Sequence, residues 1–260
     1  MEKKYLQIIG CGASQGVPTA DGNWGNCKKN KKNIRKRSSV FIKYNNIRIL
    51  LDTSPDLRFQ LLDNNISDLD CVFFTHSHAD HIFGINELRS FYIKKKQKIN
   101  IYSTKECILS LQKMFSYLFK SNNHYPSILK KYIIKKSIVI KKNKQKITIE
   151  KLDVTHGKTK TIGYKINNQV AYIPDCKIIP QKTINKIHGI EYLIIDCFRI
   201  KKHNLHINLN ESIKYIEKIK PKKAFLTHMS KDFDYKVLKK RLKKYKIIHP
   251  SFDGMKIALS

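Results

Sequence analysis

Three histidines and an aspartate stand at the spacing His-x-His-x-Asp-His in the run Thr75-His76-Ser77-His78-Ala79-Asp80-His81. Imidazole nitrogen and carboxylate oxygen are suitable donors for Zn(II) and comparable divalent ions. The apolar run Cys71-Val72-Phe73-Phe74 leads directly into this segment and reads as a strand ending at Thr75. A strand end followed by a tight loop points alternate residues in different directions, so one segment can feed two metals. The bland alternative is a histidine-rich surface loop. The chain holds only 10 histidines, and a cluster of three beside a carboxylate at a strand end argues against chance. Gly84 then allows a turn into a helix carrying Glu87 and Arg89.

A metal site needs more donors than this loop supplies. His156 follows the apolar segment Ile147–Val154 and precedes Gly157, Asp175 follows Ala171-Tyr172-Ile173-Pro174, and His228 follows Ala224-Phe225-Leu226-Thr227. Each is a ligand-type residue just past an expected strand. Alone, any of them is more often a structural histidine or a solvated aspartate. Their recurrence is what a site at one edge of a layered sheet produces.

The elements that must position these residues are legible as short β-branched runs bounded by turn residues. Strands are expected over Ser39 to Tyr44, Ile47 to Leu51, Cys71 to Thr75, Ile133 to Ile140, Ile147 to Val154, Thr161 to Ile166 and Val170 to Ile173. Asn45-Asn46 and Asn167-Asn168 read as hairpin turns, since Asn tolerates positive φ. Helical patterns cover Pro55 to Leu62, with Thr53-Ser54 as the cap, and Lys105 to Phe119, Pro180 to Ile187, Asn210 to Ile219 and Tyr235 to Tyr245. This mixture of strands and helices in each half predicts an α/β (α+β) layered architecture rather than a barrel. Without an internal repeat or a Gly/Ser-rich linker, residues 1–260 read as a single domain. The lysine-rich stretches Lys94-Lys95-Lys96 and Lys141-Lys142-Asn143-Lys144 read as solvated loops or edges.

The chain of 260 residues, 41% hydrophobic, suits a packed core and excludes intrinsic disorder. The apolar stretch after Met1-Glu2-Lys3-Lys4 is too short for a signal-peptide core, and no run approaches the roughly 20 residues that span a bilayer. The expectation is a cytoplasmic protein with no membrane partner. The six cysteines (Cys11, Cys27, Cys71, Cys107, Cys176 and Cys197) form no Cys-x-x-Cys pair and read as reduced thiols in small core positions. The 52 Lys and Arg against 20 Asp and Glu leave a net charge of +32. Such a charge favours phosphate-bearing partners. Yet the excess is nearly all lysine, scattered through the chain among abundant Ile and Asn, so most of it reads as compositional drift.

The ligand pattern resembles the metallo-β-lactamase superfamily. The segments Gly10-Cys11-Gly12-Ala13-Ser14-Gln15-Gly16-Val17-Pro18, Leu51-Asp52-Thr53-Ser54-Pro55-Asp56-Leu57-Arg58, Leu226-Thr227-His228-Met229 and Phe252-Asp253-Gly254-Met255 narrow the likeness. They resemble the phosphodiesterase branch that includes the phosphoribosyl 1,2-cyclic phosphate phosphodiesterase. The resemblance implies a four-layer αββα sandwich, two mixed β-sheets flanked by helices. It implies two divalent ions, Zn2+ or Mn2+, with His76, His78 and His156 on one and Asp80, His81 and His228 on the other. Asp175 would bridge the two, and Asp80 counts as catalytic as well as a ligand. A hydroxide shared by the cations would attack phosphorus in line with the leaving oxygen. His206, in the run before the helix at Asn210, resembles a histidine near the dimetal site of related phosphodiesterases. A neutral-range pKa would suit it to general-acid work or to hydrogen-bonding a phosphate. The alternatives are a helix-capping or solvated loop histidine, with His203 as a lower-ranked competitor.

The chain also departs from that branch. A structural zinc site of three cysteines and a late histidine is reduced to Cys27, with Lys231 at the late position, so no structural zinc is expected. Trp24 is expected to pack that loop instead. Arg35, Lys36 and Arg37 could face a phosphate or form a solvated basic edge. The expected partner is a small anionic phosphodiester, cyclic ones included. Nucleic acid is admitted but not favoured, and so is a homodimer. Two other functions compete: a transfer-RNA 3′-end endonuclease and a thioester or lactone hydrolase.

Overall fold

The computed structural model describes residues 4–122, 125–157 and 159–260. In chain order the elements are β1 (Tyr5–Gly10), β2 (Ser39–Tyr44), β3 (Ile47–Leu51), α1 (Leu57–Asp63), β4 (Cys71–Phe73), α2 (Ala79–Ile82), α3 (Leu88–Lys95) and β5 (Ile99–Ser103). There follow α4 (Lys105–Met114), α5 (Ser116–Phe119), β6 (Leu129–Ile133), β7 (Ser137–Lys142), β8 (Gln145–His156), β9 (Thr159–Ile166) and β10 (Val170–Ile173). The chain then forms α6 (Gln181–Ile187), β11 (Tyr192–Asp196), α7 (Leu209–Ile219), β12 (Lys223–Thr227), α8 (Tyr235–Arg241), β13 (Ile248–Pro250) and β14 (Met255–Ala258).

The strands make two seven-stranded sheets, ordered β14-β1-β2-β3-β4-β5-β6 and β13-β12-β11-β10-β9-β8-β7. Each sheet is mixed. The run β3-β4-β5-β6 is parallel and so is β10-β11-β12-β13, whereas the remaining pairs are antiparallel. Alternation along the strands explains the layers. On β2 and β3, Val40, Ile42, Ile49 and Leu51 join the core between the sheets, while Phe41 and Leu50 turn to the opposite face. There they meet Leu57 and Leu61 of α1, Leu88 and Phe91 of α3, and Ile108 and Leu111 of α4. Fully burying each such side chain contributes roughly 1.5–3 kcal/mol before chain entropy is subtracted. The second sheet is covered by α6, α7 and α8, which is the αββα sandwich expected.

Both asparagine turns form as predicted: Tyr44 faces Ile47 across Asn45-Asn46, and Gln169 N donates to Ile166 O at 2.8 Å across Asn167-Asn168. α7 starts one residue early, on a reciprocal cap in which Asn208 accepts from Glu211 N and Glu211 accepts from Asn208 N, both at 2.9 Å. Two other segments are corrected. The run Ile133 to Ile140 is not one strand but the crossing between sheets, since β6 ends the first sheet and β7 begins the edge of the second. The helix expected over Lys105 to Phe119 breaks at Phe115, whose φ of −123° and ψ of 42° leave the helical region. Gly84 lies in the turn that leads into α3 and also serves close packing, since a Cβ there would stand 2.0 Å from Ser54 O. All six cysteines are free and buried. The lysine-rich stretches are partly ion-paired, with Lys95 and Lys142 both reaching Asp70.

Arg35 does not face solvent. The chain at Arg35-Lys36-Arg37 is extended, with Arg35 opposite Val17 and Arg37 opposite Gly12, so Lys36 turns to the opposite face. Lys36 pairs with Asp63 and Arg37 with Asp56, but Arg35 is only 1% exposed. Its guanidinium donates to Ser230 O at 3.2 Å, to Phe233 O at 2.5 Å and to Asn33 Oδ1 at 3.4 Å, and lies 3.7 Å from Cys27 Sγ. A permanent cation therefore ties the loop after β1 to the segment after β12. Trp24 is half-buried in that loop, and its carbonyl accepts from Cys27 N. Arg35→Ala should cost about 2–4 kcal/mol in a urea melt, because several buried acceptors lose their donor at once.

Candidate metal centre

β4 is a buried three-residue strand between parallel neighbours, and continuous apolar sequence is what such a position demands. Its carboxyl end releases Thr75 and His76 at the same edge where β3 releases Asp52. Asp52 adopts a φ of 61° and turns its carboxylate across to the next strand end. Thr75 N donates to Asp52 Oδ1 at 2.7 Å and Thr75 Oγ1 to Asp52 Oδ2 at 2.9 Å. Asp52 Oδ2 also pairs with His81 Nδ1 at 2.9 Å, which leaves His81 Nε2 facing the site. α2 starts at Ala79 and places Asp80 and His81 on its buried side.

From the second sheet come His156 at the end of β8, Asp175 just past β10 and His228 just past β12. Gly157, at a φ of 61°, lets Leu205 pack where a Cβ would stand 2.4 Å from Leu205 Cδ2. Leu205 O in turn pairs with His156 Nδ1 at 2.8 Å and sets that ring. His228 holds a left-handed φ of 54°, a strained state for a residue with a β-carbon and one that clusters at functional positions.

The side chains converge as two donor sets. His76, His78, His156 and Asp175 form one, and Asp80, His81, Asp175 and His228 the other, with the donor atoms of each set within 4.8 Å of one another. Asp175 belongs to both. His76 Nε2, His81 Nε2 and Asp175 Oδ1 are buried without a hydrogen-bond partner, although His81 Nε2 and Asp175 Oδ1 face each other at 3.2 Å. Buried polar atoms that converge without bonding are what ligands arranged around a cation look like. The donor chemistry and these unpartnered atoms fit divalent cations.

Electrostatics point the same way. Burial would raise Asp80, but His81 and the His228 hydrogen bond outweigh it and hold the carboxyl far below its usual range. Burial likewise opposes the ionised Asp175, and His228 and His81 overcome it. Burial would lower His81, yet Asp175, Asp80 and Asp52 together raise it, and His228 is raised to about 8 chiefly by Asp175 against the same burial. Buried carboxylates thus draw positive charge from the imidazoles. On the other side burial lowers His76 and His78 and pushes His156 down to about 4, leaving neutral rings with lone pairs to give.

A third group adjoins these sets: Asp196, His206 and His228. His206 Nδ1 pairs with Asp196 Oδ2 at 3.0 Å, and its ring lies 4.4 Å from His156 and 4.7 Å from His228. His206 is therefore at the site rather than a helix cap, a part that falls to Asn208. Its expected neutral-range pKa is not found: burial and then His228 push it down to about 4, while burial raises Asp196. His203 stands farther out, its ring tilted 55° against Phe198 at 4.8 Å. Asp52 and Asp196 are the residues that sequence reasoning missed. Both are acids at strand ends, the signal that marked Asp175, but both orient a histidine. Asp52→Ala should lower metal affinity roughly 10–100-fold in equilibrium dialysis while the chain stays folded.

The Beta-lactamase superfamily domain model matches residues 47–229. A crystal structure described as a new diphosphatase from the PhnP family superimposes with a TM-score of 0.88 at 27% identity, over 99% of this chain and 97% of the other. An octanoyltransferase of Porphyromonas gingivalis (strain ATCC BAA-308 / W83) is 31% identical over 228 residues, 86% of this chain and 45% of that protein. A ribonuclease Z of Clostridium acetobutylicum is 31% identical over 83 residues, 31% of this chain and 22% of that protein. The chain spans less than half the length of these curated relatives. The likeness to the cyclic-phosphodiesterase branch drawn from sequence agrees with the diphosphatase structure, and a metal-dependent hydrolase agrees with the matched domain. The two mixed sheets, the donor residues at their shared edge and a domain match across most of the chain have one reading: this protein is a member of the beta-lactamase superfamily.

Proposed function

We propose that this chain is a dinuclear metal-dependent phosphodiesterase acting on small phosphodiesters, cyclic ones included. The observation that carries this reading is Asp175, the one carboxylate common to both donor sets. His76, His78 and His156 would hold one divalent ion, Asp80, His81 and His228 the second, and Asp175 both. When bound, two Zn2+ or Mn2+ ions supply Lewis acidity and an activated water for attack at phosphorus.

The remaining chemistry belongs to side chains. Asp80 anchors the second set, with His228 Nε2 at 3.3 Å and His81 Nε2 at 3.4 Å from its Oδ2. His206 sits beside rings from both sets and would serve the leaving oxygen. Burial keeps the His206 ring neutral and favours a protonated Asp196, so the pair holds a proton between Asp196 Oδ2 and Nδ1 and leaves an N–H at Nε2. As that Nε2 proton passes to the leaving alkoxide, the Asp196 proton moves onto Nδ1 and the ring stays neutral. In its resting form the same Nε2–H is a hydrogen-bond donor to a phosphoryl oxygen.

Ribonuclease Z relatives and the charge of +32 favour a second reading, cleavage of RNA at a transfer-RNA 3′ end. A hydrolysis panel separates the two: cyclic nucleotides, bis-aryl phosphodiesters, a thioester and precursor tRNA, assayed with metal analysis. Turnover of the small diesters without cleavage of tRNA is expected; a thioester as the sole substrate would overturn both readings. Asp175→Ala should abolish turnover and lower bound metal, and a variant retaining two metals and full rate would refute the bridging role. His206→Ala should keep its metal and lose roughly 100-fold or more in kcat on diesters with poor leaving groups. An equal loss on an activated aryl diester, whose leaving group hardly needs a proton, would remove His206 from acid catalysis.

A further inference from the structure

Beside the metal centre, between the loop after β1 and the segments after β11 and β12, lies a cavity of about 260 Å³ that none of the donor residues lines. Phe198, Arg199, Ser230, Lys231 and Asp232 form one side of it, and the 13–16 loop with Thr19 the other. Backbone bonds fix these walls to one another. Ala13 N donates to Met229 O at 3.2 Å, and Ser230 N to Phe198 O at 2.9 Å. Phe198 ties the cavity to the chemistry. Its ring stacks on His206 with centroids 4.8 Å apart and planes 28° apart, and it lies 6.0 Å from the His228 ring. Since His206 would serve the leaving oxygen, a cavity walled by Phe198 lies on the leaving-group side of the metals.

The charges on its walls are unspent. Arg199 sets its guanidinium 5.6 Å from the Phe198 centroid and donates from Nη2 to Lys202 O at 2.7 Å. That bond orients the group and leaves other N–H donors of the fork unused. Lys231 is laid against the loop after β1: Gly25 has a φ of 54°, and a Cβ there would stand 2.6 Å from Lys231 Cγ. Asp232 is the one acid among the lining residues. Arg199, Lys231 and Asp232 form no ion pair among the described residues, with one another or with anything else. Two cations against one carboxylate leave an excess of a single positive charge facing the open volume.

We propose that this cavity binds a carboxylate carried on the leaving alcohol of the substrate, with Arg199 and Lys231 as the specificity-determining residues. The proposal rests on the phosphodiesterase reading of the metal centre. A planar guanidinium matches the two oxygens of a carboxylate, and the ammonium adds a point charge. Asp232 sets the charge of the guest: one negative charge is balanced there, whereas a phosphate monoester dianion would meet it with repulsion.

Two diesters that differ only in the leaving group test this on the metal-loaded protein: methyl phenyl phosphate and 3-carboxyphenyl methyl phosphate. The wild type should prefer the carboxylated diester by roughly tenfold or more in kcat/KM, with the preference residing in KM. Arg199→Ala, and separately Lys231→Ala, should each bring the ratio between the two diesters close to one. A ratio taken within each variant does not move with its folded fraction or metal content. A wild-type ratio near one, or a preference that survives either substitution, overturns the proposal. Turnover of neither diester would instead remove the phosphodiesterase reading, and calorimetric titration with 3-hydroxybenzoate then decides the cavity alone. Binding weakened about tenfold in Arg199→Ala upholds a carboxylate site, and equal affinity or no binding overturns it.

Discussion

The constraint on which this molecule turns is buried negative charge. Asp52, Asp80 and Asp175 all lie within the edge where the two sheets meet, and none is more than 9% exposed, while burial favours the protonated form of Asp196 beside them. A carboxylate out of water is expensive unless something positive or hydrogen-bonding stands against it. Asp52 is answered by the Thr75 amide and hydroxyl and by His81. Asp80 and Asp175 have chiefly imidazoles in front of them, and the raised His81 and His228 show how strongly that corner calls for cations. Divalent cations answer the demand better than protons on rings that must also act as ligands. The metal requirement thus follows from where the acids are buried, before any reaction is considered.

That arrangement divides labour among residues of the same type. Asp175 and Asp80 turn oxygens into the site, while Asp52 and Asp196 each use Oδ2 to hold His81 and His206 in one orientation. Locking a ring through its Nδ1 leaves Nε2 with a defined direction, which is what a ligand or a proton donor needs. The loop after β1 is held in a comparable way from outside the centre. Arg35 gathers Ser230 O and Phe233 O only two and five residues beyond His228, so the strained histidine sits next to a firmly tied segment.

Much of this was legible in the sequence because strand ends are legible. Buried parallel strands are short apolar runs, and the polar residue after each lands on a common edge, so His76, His156, Asp175 and His228 could be gathered without coordinates. Asp52 and Asp196 could not be sorted from Asp175, since position after a strand does not say whether a carboxylate faces a metal or a neighbouring ring. Arg35 was misread for a related reason. In Arg35-Lys36-Arg37 three cations look alike, and only the tertiary fold brings Ser230 O and Phe233 O within reach of the first. Ile133 to Ile140 looked like one strand because β-branched residues do not mark where a chain leaves one sheet for the other. The capping box of α7 was hidden in plain view at Asn208 and Glu211.

The two donor sets have a consequence for how the protein comes into being. Each draws residues from both sheets: His76 and His78 meet His156 and Asp175 in one, Asp80 and His81 meet Asp175 and His228 in the other. The earliest and latest of these are separated by most of the chain, so neither set exists until the sheets have closed on one another. Contacts between such distant residues form slowly, after the cost of closing long loops has been met. The ions cannot seed this fold in the way zinc seeds a small finger domain. Any cation held there would arrive late, as a lock across a seam already made.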